Sequence, residues 1–268
     1  MGAHATSKTR DDFITYQIAE WASDLTFEDL SPQAVHTAKL SLFDSFGCAL
    51  GGAQQEDLEI WIDHSRALGA FDSPDQPCHV VGLRETTDPV TAAMLNALAI
   101  RAMDYNDIYW KADPSHPSDI IPAASSICEL RELSGRELIL GTVIGHEVEM
   151  RLAEFGEPGI REYGWHHATL TAIAAPVVAG RLLGLSEEQI QNAIGIAASP
   201  SMCLGAVTTG HLTHMKHTVD PMATRAGVEA ALLAKRGLSG PSHVIDGKEG
   251  LVHCFEKFGG RFNLDLLV

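Results

Sequence analysis

No stretch of the 268 residues approaches the roughly 20 consecutive apolar residues of a membrane span, and the first residues carry no apolar signal segment. No membrane contact is expected, and the cytoplasm is the expected compartment. Basic residues are scarce: 19 Lys and Arg stand against 35 Asp and Glu, a formal charge of −16. Such a balance argues against a surface that tracks nucleic-acid phosphates. The five cysteines, at 48, 78, 128, 203 and 254, form no C-x-x-C pair, so reduced thiols are expected and an iron–sulfur cluster is not. Also missing are G-x-G-x-x-G after a strand, G-x-x-x-x-G-K-[ST], G-x-S-x-G and H-E-x-x-H, which removes most support for nucleotide cofactors and for familiar serine and zinc hydrolases. Neither a cofactor nor a bound metal is expected. No linker, charge block or fixed-period repeat divides the chain.

What remains is helical periodicity. Ser31-Pro32 supplies an N-cap and a first-turn proline ahead of Val35, Ala38, Leu42 and Phe46, which predicts a helix over 32–50 stopped by Gly51-Gly52. Ser134 with Glu137, and Ser186 with Gln189, read as capping boxes. The segment 137–155 reads as a buried helix, and the Ala-rich segment 91–103 as a central one, because small side chains let axes approach closely. Pro176 should kink or restart the apolar run 168–183. Only 79–83 and 242–245 look like strands. The expected fold is all-α, with at most short β pieces: a disordered tail over 1–11 and one helical domain over 12–268.

Three polar clusters interrupt the helices. The first runs from Arg101 through Asp104, Asn106 and Asp107 to His116, Ser118 and Asp119. Asp104 and Asp107 sit at the unfavourable negative end of a helix dipole, and Pro114 and Pro117 let the loop fold His116 back over that end. Either these carboxylates cap loop amides or they serve chemistry. The second, Gly164-Trp165-His166-His167, precedes an apolar helix whose dipole disfavours an imidazolium. It reads either as a cap or as a neutral general base. The third holds His211, His214, Lys216 and His217. Its histidines could gather round a metal, though no carboxylate or thiol completes a known spacing. Lys216 reads either as a solvated lysine or as a point-charge partner for a carboxylate.

Together the clusters resemble the MmgE/PrpD family, which includes 2-methylcitrate dehydratase, cis-aconitate decarboxylase and some epimerases. The likeness runs through Leu42-Phe43-Asp44-Ser45-Phe46-Gly47 with Gly51-Gly52, the 104–119 loop, Gly164-Trp165-His166, Leu182 to Ser186, Lys216, and 227–234 with Gly237-Leu238. The resemblance implies a helical domain that dimerises and a smaller α+β lid. It places catalytic roles on Asp104, His116, His166 and Lys216, with Asn106, Asp107, Ser118, His167 and His217 as neighbouring substrate-binding residues. Asp104-Tyr105-Asn106-Asp107, twelve residues ahead of His116-Pro117-Ser118-Asp119, looks closer to the dehydratases, and Ile108 stands where the decarboxylases place a threonine.

The implied function is cofactor-independent dehydration of a 2-methylcitrate-like tricarboxylate, with His166 as base and Lys216, His116 and His166 as a positive floor. The implied partners are a tri- or dicarboxylate, a twin chain, and a separate chain carrying the lid, since the match covers only the helical part and the chain reads as a fragment or as half of a split enzyme. A decarboxylase, an epimerase, a non-catalytic helical subunit and a metal-dependent hydrolase using His211, His214 and His217 stay open beside it.

Overall fold

The computed structural model describes residues 9–71 and 77–268. Residues 1–8 of the expected tail lie outside that range, and Arg10–Asp12 form a 3-10 turn. Ten α-helices follow among the described residues: α1 (Ile14–Asp24), α2 (Pro32–Gly52), α3 (Glu56–Ala67), α4 (Pro89–Arg101), α5 (Ile121–Leu130), α6 (Gly135–Glu154), α7 (Ala168–Leu183), α8 (Glu187–Ala198), α9 (Met215–Lys235) and α10 (Leu251–Glu256). Three two-residue antiparallel pairs complete it: β1 (Cys78–His79) with β2 (Thr86–Thr87), β3 (Tyr109–Trp110) with β4 (Pro114–Ser115), and β5 (Gly156–Glu157) with β6 (Arg261–Phe262). The fold is all-α with short β pieces.

Local chemistry explains most boundaries. Ser31 Oγ accepts the Ala34 N–H at the start of α2. Ser186 and Gln189 form their reciprocal box, whereas Ser134 occupies the N-cap of α6 without a side-chain bond. Gly51 and Gly52 are the last two residues of α2, as expected, and Gly52 has a second use. A Cβ on Gly52 would come within 1.9 Å of the Ala99 carbonyl oxygen, so glycine is there to let α4 approach. Every residue of α4 from Ala92 to Arg101 is buried, as its small side chains predict.

Neither expected strand forms over its full span. The segment 242–245 is a run of turns, with Val244 and Ile245 turned into the core. Of 79–83 only His79 lies in a strand. Pro176 does not restart α7, which runs unbroken through it, and α9 likewise passes through Pro221. Against α7, a Cβ on Gly227 of α9 would lie 2.5 Å from the Ala175 Cβ and 2.8 Å from the Pro176 ring. The main core joins α1 and α5 to α9. Within it α9 lies against α7, α4 and α8, which brings the ends of α4, α7 and α9 together.

Candidate active site

Those ends enclose a cavity of about 450 Å³ whose wall includes Arg101, Asp104, His116, His166, His167 and Lys216. Asp104 follows α4 in a left-handed conformation, φ +52°, which side chains other than glycine adopt at a cost. The turn aims its carboxylate at Lys216, whose Nζ donates to Asp104 Oδ2 at 2.5 Å. Burial works to raise the Asp104 pKa, but the bond and charge of Lys216, with Arg101, outweigh it and hold the group below its ordinary value. Asp104 is thus an ionised partner of Lys216.

His116 folds back over the helix end, and its Nδ1 donates to the Asp107 carbonyl at 2.5 Å. The proton is therefore on Nδ1, and Nε2 keeps its lone pair. Burial, seconded by the charges of Arg101 and His167, pushes this imidazole down to about 4. His166 is arranged in the opposite sense. Its Nδ1 accepts the Ala168 N–H at the start of α7, which leaves the proton on Nε2, an atom with no partner among the described residues. Burial holds it near 3 against the opposing charge of Asp220. The two histidines are neutral at neutral pH and cannot form a positive floor. His167 stands between them, its ring centroid 3.9 Å from that of His166 and 5.1 Å from that of His116.

Behind the wall lies a charge network. Arg101, 2% exposed, reaches Asp104 at 3.9 Å, Asp119 at 3.5 Å and Asp220 at 3.7 Å. Fully buried Asp220 lies 3.1 Å from His167 Nε2 and 3.9 Å from His166 Nδ1. Burial opposes its charge, but His167, His166 and Arg101 prevail and keep it ionised. Burial raises Asp119 instead, against the pull of Arg101. Asn106, Asp107 and Ser118 do not line the cavity. Asn106 donates to Ser118 Oγ at 2.9 Å, and Asp107 accepts from the Ser118 hydroxyl and amide, so the three support the loop from behind. His217 faces elsewhere: its Nδ1 lies 2.9 Å from Asp57 Oδ2, while His214 takes the other oxygen.

His166, His167 and Asp220 offer one ligand atom each within 4.8 Å of one another, the set best placed for a divalent metal among the described residues. The Arg101 guanidinium beside Asp220 and the Ala168 N–H on His166 both compete with such an ion. The histidines read as a sequence-level metal cluster are split, with His214 and His217 bound to a carboxylate from α3. Arg101 and Asp119 bound the first polar cluster in the sequence, but neither they nor Asp220 were given a role there. Their one signal was a charge set within or beside an apolar helical run, as with Glu149 in α6. That side chain is fully buried, accepts from Ser115 and Thr171, and is pushed by burial up to about 8.

The comparisons with known proteins agree with this architecture. The chain is 29% identical to the cis-aconitate decarboxylase of Aspergillus terreus over 92% of its own length and 51% of that protein. It is 26% identical to the mitochondrial 2-methylcitrate dehydratase of Yarrowia lipolytica, over 90% of its length and 48% of that protein. To the 2-methylcitrate dehydratase of Escherichia coli O157:H7 it is 29% identical, over 81% and 46%. The chain thus spans about half the length of the curated relatives it matches. The MmgE/PrpD N-terminal domain matches residues 16–260, and the chain belongs to the MmgE/PrpD family.

Proposed function

We propose that this chain carries the acid–base half of a lyase site that removes water from a 2-methylcitrate-like tricarboxylate. The observation that carries the reading is the pairing, in one cavity, of two neutral imidazoles with opposite tautomers beside a Lys216–Asp104 ion pair. Elimination needs a base for the proton α to a carboxylate, a donor for the enediolate that develops there, and an acid for the departing hydroxyl.

His116 Nε2, with its free lone pair, takes the α-proton. His166 Nε2–H donates to the carboxylate oxygen that gains charge. The Lys216 ammonium protonates the leaving hydroxyl, so that a C–H and a C–O bond break, a C=C bond forms, and water departs. These roles reverse the sequence-based choice of His166 as base, because its Nδ1 lone pair is taken by Ala168. Asp104, held ionised by Lys216, has no proton to give to the leaving group.

Relatives of both kinds act on tricarboxylates by name, and two features favour dehydration. The Asn106–Ser118–Asp119 linkage is built from the two dehydratase-like stretches, and the cavity wall carries Ile108, with no hydroxyl to offer. Decarboxylation is the second reading, supported by the Aspergillus relative. The test incubates the chain, alone and with the C-terminal half of a relative, with 2-methylcitrate and with cis-aconitate. An alkene product without CO₂ supports dehydration, and CO₂ from cis-aconitate supports the second reading. Turnover of neither under both conditions rejects the enzyme reading in favour of a non-catalytic helical subunit.

A further inference from the structure

A tricarboxylate brings three negative charges into the cavity, and most of the cations there are already engaged. Lys216 is bound to Asp104, Arg101 lies among three aspartates, and His116 and His166 are held neutral. Arg161 differs. It lines the same cavity, and among the described residues no carboxylate lies within ion-pair distance of its guanidinium. That group lies instead over the Trp110 ring, 5.2 Å from the centroid. Stacking of this kind fixes a planar guanidinium while leaving its N–H fork free for a carboxylate.

The placement is built by the β3–β4 hairpin. Asp113, between the two strands and 1% exposed, accepts the Ile160 N–H at 2.8 Å and the Arg161 N–H at 3.0 Å. Its own N–H donates to the Ala153 carbonyl at 2.9 Å, which fastens the hairpin to the end of α6. A Cβ on Gly159 would strike the Asp113 carboxylate at 2.4 Å, so only glycine lets the 3-10 turn Ile160–Tyr163 sit this close. One hairpin thus holds the Arg161 backbone with Asp113 and supports its side chain with Trp110.

We infer that Arg161, laid on Trp110, anchors one substrate carboxylate and selects three carboxylates over two. The inference rests on the tricarboxylate reading above. A charge-assisted fork of this kind predicts a loss of roughly 10–100-fold in affinity when the guanidinium is removed.

Calorimetric titration of this chain with propane-1,2,3-tricarboxylate and with glutarate, which lacks the central carboxylate, tests it. Wild type should bind the tricarboxylate at least about tenfold more tightly. Arg161→Gln should lose roughly 10–100-fold for the tricarboxylate and close the gap to glutarate, with an unchanged melting curve. Arg161→Lys, which keeps the charge but not the flat stack, should recover only part. Trp110→Ala should weaken the tricarboxylate by about three- to tenfold. If Arg161→Gln binds both probes as wild type does, the anchor is refuted while the tricarboxylate reading stands. If it weakens both equally, the selectivity is refuted. If wild type binds neither, both readings fall.

Discussion

The two imidazoles on the cavity wall carry their protons on opposite nitrogens, and that difference is decided by single backbone atoms: the Asp107 carbonyl and the Ala168 amide. Nitrogen-15 NMR of the chain should show His116 as the Nδ1–H tautomer and His166 as the Nε2–H tautomer, and the reverse pattern would exchange their roles. In an assembled enzyme His116→Gln should lower kcat by about 10²–10⁴-fold. Because burial pushes His116 down to about 4, kcat/KM should hold on acidification until near pH 4. An acid limb at the ordinary imidazole value of 6.5 would show that burial does not hold the His116 pKa down. Arg101 makes a different kind of contribution. Arg101→Leu leaves Asp119 and Asp220 without a cation in a buried setting, and should cost about 3–5 kcal/mol in chemical denaturation. A loss under about 1 kcal/mol would mean the aspartates share protons well enough without it.

At the scale of elements, glycines set the distances between helices. Gly227→Ala would push α9 off α7 at Ala175 and Pro176, and should destabilise by about 1–3 kcal/mol with a smaller cavity response in ligand titration. An unchanged denaturation midpoint would show that α9 shifts freely. This is also where sequence and structure part. The Ala-rich α4 was legible as central because small side chains have one physical use in a long apolar helix. The end of α2 was legible in Gly51-Gly52, but the approach of α4 was not, because glycine looks the same whether it ends a helix or admits a neighbour. The restart expected at Pro176 does not occur, because a helix break is a local prediction while the surrounding core carries α7 through it as one helix. Asp104, His116, His166 and Lys216 were legible as candidates through their motifs, and the structure puts all four on one wall. Asp220 and Asp113 were not, since their partners Arg101 and Arg161 lie 119 and 48 residues away and no local pattern links them.

For the whole molecule, buried titratable groups shape stability against pH. The Glu149 carboxyl is raised in the fold to about 8 from an ordinary 4.5, so its contribution is full below 4.5 and is lost as pH rises through 8. Glu149→Gln, which keeps an acceptor for Ser115 and Thr171, should flatten the fall in melting temperature between about pH 5 and 8, and an identical fall would remove Glu149 as its cause. His116, His146 and His166, lowered to about 4, 4 and 3, act on the other side, contributing above 6.5 and losing stability as pH falls toward 4. The outer face of α2 presents Leu40, Phe43 and Leu50, 56%, 82% and 65% exposed, at helical spacing. We propose that a twin chain packs there, so Phe43→Glu should turn a dimer into a monomer in light scattering, and a persistent dimer would place the contact elsewhere.

The close seating of α9 on α7 has one more consequence. His166 and His167 lead into α7, while Lys216 and Asp220 belong to the first turns of α9, so the contact at Gly227 acts as a caliper for the jaws of the site. Sliding one rod along the other by a single turn moves Lys216 about 5.4 Å, well past the reach of Asp104. The gap between Lys216 and the His166 donor is thus calibrated three turns away from the chemistry, by the absence of one methyl group.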